Sequence, residues 1–283
     1  MNLISFLLSI LFINQNFEKL NFKNSDDLIL KNLKYRNVGP VRGGRVTTVH
    51  GVESQKNVFY MGTTGGGVWK STDFGNHWHN VSDGYFKSPS IGAINVYQKN
   101  PNIVYVGTGS DGLRSNIIVG KGIYRSEDAG KTWDPIGLEN VGQIGAVEIH
   151  PNDPNTIYVA AIGQPFKNNQ ERGLYKSVDG GKSWDKILYL SDSIGIVDVE
   201  FAPDDPNTLY AASWRAERKP WTIISGSTNG GAFKSVDAGK TWNKIDLGFE
   251  SKYIGKIDFA VSKSNPDRLF VMVEASEGKG GLY

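Results

Sequence analysis

At 283 residues the chain has room for one large domain or two ordinary ones. A net charge of +2 supplies no concentrated basic face, so no nucleic-acid partner is expected. The absence of cysteine excludes disulfides and thiolate metal sites. His50, His77, His79 and His150 have neither metal spacing nor a nucleophile beside them, so neither a metal nor another cofactor is expected.

The chain opens on an apolar run, Met1 to Ile13, too short to cross a bilayer as a helix. That length suits the apolar core of a signal peptide, assigned to residues 1–16, and implies export to the periplasm, the cell surface or the medium. Residues 17–34 are polar, rich in Asn and Lys, and read as a leader. The segment Tyr35-Arg36-Asn37-Val38-Gly39-Pro40-Val41-Arg42-Gly43-Gly44-Arg45 then gathers three arginines ahead of the first strand. They either pair with neighbouring carboxylates or, in the case of Arg45, face the mouth of a channel.

From here the chain repeats itself. Ser71-Thr72-Asp73-Phe74-Gly75-Asn76-His77-Trp78 returns as Ser126 to Trp133, Ser177 to Trp184 and Ser235 to Trp242, all reading S-x-D-x-G-x-x-W. A period of roughly 50–60 residues marks a repeat architecture. Each copy follows an apolar-aromatic pair (Val68-Trp69, Ile123-Tyr124, Leu174-Tyr175, Ala232-Phe233) and leads into a short apolar run. That is a hairpin whose turn takes its positive φ from the Gly at position five. The Ser and Asp are positioned to satisfy turn amides. Asp73, Asp128, Asp179 and Asp237 are therefore structural, because four carboxylates at one fixed spacing cannot all be active sites.

Two further elements precede each turn. One is a Pro-Asn or Pro-Asp turn with a strand behind it, as in Asp153-Pro154-Asn155-Thr156-Ile157-Tyr158-Val159. The other is an alternating run with a Gly near its top: Ile91-Gly92-Ala93-Ile94, Ile144-Gly145-Ala146-Val147, Ile194-Gly195-Ile196-Val197 and Ile254-Gly255-Lys256-Ile257. Side-chain volume runs out where sheets converge on an axis, which suits an innermost strand carrying Gly. The unit is four antiparallel strands, A to D, with the box in the C–D turn, and such units fan out as an all-β propeller over residues 35–283. Gly281-Leu282-Tyr283 opens a further strand C, giving four complete blades plus part of a fifth, as in a truncated piece of a larger ring. The remaining blades are then an expected partner.

Box turns share one face of such a fold, and the B–C loops share the other. The B–C loops vary in length and are longest in the fourth repeat, which is where binding residues tend to lie. They hold the candidates Arg114, Phe166, Arg172, Trp214, Arg215, Arg218 and Trp221, beside Glu171 and Glu217. Aromatic rings with Arg and Glu suit a sugar face or the carboxylates of a peptide. The competing reading folds Trp214 and Trp221 back onto their own loop.

The S-x-D-x-G-x-x-W turn resembles the Asp-box, or BNR repeat, of sialidases, xyloglucanases and the sortilin/Vps10 propellers. With Gly43-Gly44-Arg45-Val46, Gly65-Gly66-Gly67-Val68-Trp69-Lys70 and Glu171-Arg172-Gly173-Leu174-Tyr175-Lys176, the chain is similar to bacterial sortilin/Vps10-like proteins. That resemblance implies an exported module binding a protein, peptide or carbohydrate ligand. Xyloglucanases carry one of their two acids in a stretch reading R-T-D-x-G-G-x-Y-R. Here Gly62-Thr63-Thr64-Gly65-Gly66-Gly67 aligns with it, and Thr64 stands where the carboxylate belongs. No catalytic residue is assigned. A hydrolase of the xyloglucanase type, acting on β-glucan, remains the alternative, and an assembly-factor propeller is the third reading.

Overall fold

The computed structural model describes residues 44–248 and 253–283. The apolar run, the leader, Arg36 and Arg42 lie outside them. Every element of the described residues is a strand. The first sheet runs β1 (Val46–Gly51), β2 (Phe59–Thr63), β3 (Val68–Ser71), β4 (His79–Asn80). The second runs β5 (Ile91–Val96), β6 (Val104–Thr108), β7 (Ile123–Ser126), β8 (Asp134–Pro135). The third runs β9 (Gln143–Ile149), β10 (Ile157–Gly163), β11 (Gly173–Ser177), β12 (Asp185–Leu188). In the fourth, β13 (Gly195–Ala202) and β14 (Asp205–Trp214) continue through an inserted hairpin, β15 (Ala216–Arg218) and β16 (Ile223–Ser225), to β17 (Ala232–Ser235) and β18 (Asn243–Ile245). A three-stranded sheet follows: β19 (Ile254–Val261), β20 (Leu269–Ala275) and β21 (Gly281–Leu282). All pairings are antiparallel, and the innermost strands β1, β5, β9, β13 and β19 touch in succession, as in a β-propeller.

The core lies between the sheets. Strands β6 and β10 are buried along their whole length, because each is covered on both faces by neighbouring sheets. Backbones approach closest at the innermost strands. A Cβ on Gly92 would stand 1.9 Å from the Ile144 carbonyl oxygen, and one on Gly145 2.2 Å from that of Val197. Cross-strand pairing also corrects the repeat alignment. Asn95 faces Tyr105 and Glu148 faces Tyr158, but it is Glu200, not Asp198, that faces Tyr210. In the fourth sheet the Ile-Gly pair sits two residues earlier than in the second and third, and Val197 takes the bulged place that Gly92 and Gly145 hold in those sheets.

The four boxes share one geometry. Each Ser hydroxyl donates to Asp Oδ1 (2.8–2.9 Å) and accepts the N–H of the position-five residue. Each Asp accepts the N–H of position seven and, through Oδ2, the side chain there: His77, Thr132, Ser183 or Thr241. Donation by the Thr241 hydroxyl and N–H holds the Asp237 carboxyl down to about 2. Position four is left-handed as well, although only one copy has glycine there: φ is 62° at Phe74, 61° at Ala129, 76° at Gly180 and 59° at Ala238. The tryptophans also do more than cover their own hairpin. Trp133 Nε1 donates to Val81 O (2.7 Å) and Trp184 Nε1 to Ile136 O (2.8 Å), both in the preceding sheet. The indoles of Trp78 and Trp242 donate to Gly75 O and Gly239 O in their own turns.

Two sheet faces stay open. Val49 is 68% exposed, where its equivalents Ile94, Val147 and Val199 are at most 5%. Leu282 is 70% exposed, whereas Val68, Ile123, Leu174 and Ala232 at the same register are all at 0%.

Gly92→Ala is expected to destabilise by about 2 kcal/mol or more, since a rigid carbonyl must move. Gly44→Ala, with nothing within 4 Å, is expected to change stability by less than about 0.5 kcal/mol. Urea unfolding of the two variants measures the contrast.

Candidate functional site

The third and fourth sheets carry B–C loops that brace one another. Arg172 has no exposed surface; its Nη1 donates to Ile162 O (2.5 Å) and its Nη2 to Gln164 O (2.7 Å), Lys167 O and Ala216 O. Burial holds its guanidinium down to about 10, with the Glu217 and Asp192 carboxylates opposing. Arg218 N–H donates to Pro165 O (2.5 Å), tying the hairpin to the neighbouring loop. Glu217 is buried in an ion pair with Lys219. Trp214 is 6% exposed, and its indole N–H donates to Ser225 Oγ (2.8 Å), which donates to Glu274 Oε2 (2.6 Å). Arg172 and Trp214 therefore hold loops together; Arg172 presents no surface to a ligand, and Trp214 presents only a narrow edge. The physical reason is that long inserts need internal hydrogen bonds, which buried Arg and Trp supply.

The other candidates remain accessible to different degrees. Trp221, at the hairpin tip between β15 and β16, is 81% exposed, and Phe166 on the adjoining loop is 50% exposed. Arg218 is partly buried and donates to Thr222 O (2.9 Å). Arg215 is partly buried, with an Nε that has no partner among the described residues. Arg114 is exposed, on the loop after β6.

Arg114 and Trp214 belong to one cleft of about 380 Å³, with Arg45, Thr47, Thr64, Asp111, Lys256 and Glu274 on its walls. Four sheets contribute, so the cleft lies at the B–C loop face where the tops of innermost strands meet. Lys256 Nζ bridges Asp111 (2.9 Å) and Asp258 (3.4 Å). Glu274 accepts the Lys256 N–H (3.0 Å) besides the Ser225 hydroxyl. Arg45 Nη2 donates to Asn116 Oδ1 (2.6 Å). Phe166, Arg215, Arg218 and Trp221 are not among its walls.

Asp111, Lys256 and Glu274 escaped the sequence reading, yet two of them left a trace. Lys256 lies two residues before Asp258, where Ile196 lies two before Asp198. Glu274 lies two beyond Met272, where Trp214 lies two beyond Ala212. A charge replacing an apolar residue within the repeat was the available signal.

A family model described as sortilin, neurotensin receptor 3, matches residues 121–281, more than half of the chain. The chain belongs to the Sortilin-Vps10 family. Among curated proteins it is 25% identical over 230 residues to a probable oligoxyloglucan-reducing end-specific xyloglucanase of Neosartorya fischeri, covering 75% of this chain and 25% of that one. It is 35% identical over 104 residues to the vacuolar protein sorting/targeting protein 10 of Mycosarcoma maydis, covering 36% and 6%. The Niastella koreensis GH74 enzyme superposes with a TM-score of 0.58 at 25% identity, over 80% of this chain and 33% of that one. An ancestral GH74 enzyme gives 0.60 at 18% identity over 87% and 32%, a likeness of fold alone. This Sortilin-Vps10 chain spans about a quarter of the length of the xyloglucanases it matches.

Besides Asp258, the Sortilin-Vps10 chain places Glu148, Asp198 and Glu200 on its innermost strands. Burial, then Glu200 and Asp198, pushes Glu148 well above the usual carboxylate range. Burial, then Asp198, pushes Glu200 up to about 8, with Lys263 opposing. Burial also raises Asp198 to about 6, although its carboxylate accepts the N–H groups of Phe259 (2.7 Å) and Val199 (2.9 Å). Asn95 Nδ2 donates to Glu148 Oε1 (3.1 Å). Groups that hold protons more tightly when folded favour the folded state below the ordinary carboxylate range, and that advantage is lost as pH rises through 6 and 8. Glu200→Gln is therefore expected to stabilise at pH 9 by about 1 kcal/mol after solvent screening, and to do little at pH 4. Thermal unfolding of both proteins across this range checks the sign.

Proposed function

We propose that this chain is an exported ligand-binding propeller module, taking a protein, peptide or glycan on its B–C loop face without chemistry of its own there. The observation that carries this reading is the cleft: four sheets supply arginines, hydroxyls and carboxylates to one concave surface. Loops braced by buried hydrogen bonds hold that surface in place before a ligand arrives, which lowers the ordering cost of binding. Export rests on the Met1 to Ile13 run. The faces bearing Val49 and Leu282 suit further sheets of the same kind, because each seam within the chain joins such a pair of faces.

The second reading is a glycoside hydrolase, favoured by the xyloglucanase relatives. Such a reaction needs two opposed carboxyls. Thr64 lies on the cleft wall at the position where the resemblance expects one of them. Glu171 and Glu217, the alternatives on the loops, are not on that wall. Asp111 and Glu274 are, but both already accept hydrogen bonds within the protein.

Gly112 lines the cleft and a Cβ there meets nothing within 4 Å, so Gly112→Trp is expected to obstruct the site. Screening the chain against immobilised peptides and polysaccharides should find a ligand whose affinity falls at least about tenfold in Gly112→Trp. Unchanged capture by that variant would remove the cleft from consideration. Incubation with xyloglucan should release no reducing sugar. Steady release that Gly112→Trp abolishes would instead establish the hydrolase.

A further inference from the structure

Resting on the reading of the cleft as a binding site, we infer that it recognises an acidic sugar, a glycan ring bearing a carboxylate or sulfate, in preference to a neutral one. The cleft has three cationic walls: Arg45, Arg114 and Lys256. Lys256 is already neutralised by Asp111 and Asp258. Among the described residues, Arg45 has only the neutral Asn116 amide as side-chain partner, and Arg114 has none. Two planar guanidinium forks thus stand at a concave surface without carboxylate partners among the described residues. That is the arrangement suited to bidentate capture of an oxyanion, which a lysine ammonium matches less well.

The remaining walls decide between a sugar and an acidic peptide. Asp111 and Glu274 are acceptors, and a second run of carboxylates brought against them would be repelled. Sugar hydroxyls are donors and can use the lone pairs those carboxylates have left. The Thr64 hydroxyl has no partner among the described residues, so it can donate or accept. Leu113 and Trp214 give the cleft an apolar wall against which the C–H face of a ring can rest. An oxyanion at one end and a hydroxyl-bearing ring at the other match this combination of groups.

The test titrates the full chain with polygalacturonate, carrageenan, xyloglucan and poly-glutamate. The first two separate carboxylate from sulfate. Binding to at least one of them is expected, weakening steeply between about 0.05 and 0.5 M salt. Arg114→Gln and Arg45→Gln should each weaken it at least about tenfold. Arg268→Gln removes the same charge from the turn between β19 and β20, at the opposite end of the strands, and should leave binding unchanged. Equal losses in all three variants would mean attraction to net charge alone and overturn the inference. Capture of xyloglucan or poly-glutamate instead, blocked by Gly112→Trp, would overturn it while leaving the cleft as the site. Binding of none of the four, with a ligand found elsewhere on the surface, would overturn both.

Discussion

Two successive left-handed residues, pinned by a serine hydroxyl and an aspartate, are the constraint on which this molecule depends. Non-glycine residues rarely enter that region of backbone space. Phe74, Ala129 and Ala238 do so because the Ser and Asp side chains capture the N–H groups that the turn exposes. The turn then aims a tryptophan along the rim, and in the second and third sheets its indole reaches the sheet before it. Tyr60 and Tyr158 reach the other way, donating to Ala129 O and Ala238 O in the following boxes. The seam between sheets is therefore directional and polar at its rim, while its interior is apolar.

That arrangement separates support from recognition. The uniform turns occupy one end of every sheet, and the variable loops occupy the other. Nothing required of the turns limits what the loops carry, which is how one frame accommodates unrelated ligands. Arg172 shows the internal side of this freedom. A fully buried guanidinium with four carbonyl partners is costly to desolvate, and it fixes the course of two inserts at once.

The axis follows another logic. Volume is scarce there, so glycines let backbones meet, and the side chains that remain face a narrow interior. Burial first, and mutual repulsion second, make Glu148, Asp198 and Glu200 retain protons. Their setting sacrifices stability at alkaline pH, whereas the partly buried Asp179 and Asp237 of the boxes are held ionised by hydroxyl and backbone N–H donors of their own turns.

The sequence by itself determined the all-β class, the propeller unit and the structural role of the boxes. Each rests on a local pattern repeated in register, and repetition separates signal from chance. It located the variable loops as well, since length differences between repeats are visible without coordinates. Only the tertiary structure decided which loop residues face solvent. Arg172 and Trp214 look like Arg218 and Trp221 in sequence, but burial depends on what a loop folds against. The cleft, too, was decided there. Thr64, Asp111, Lys256 and Glu274 come from three sheets, and the fanning of those sheets around one axis is what brings them to a common mouth.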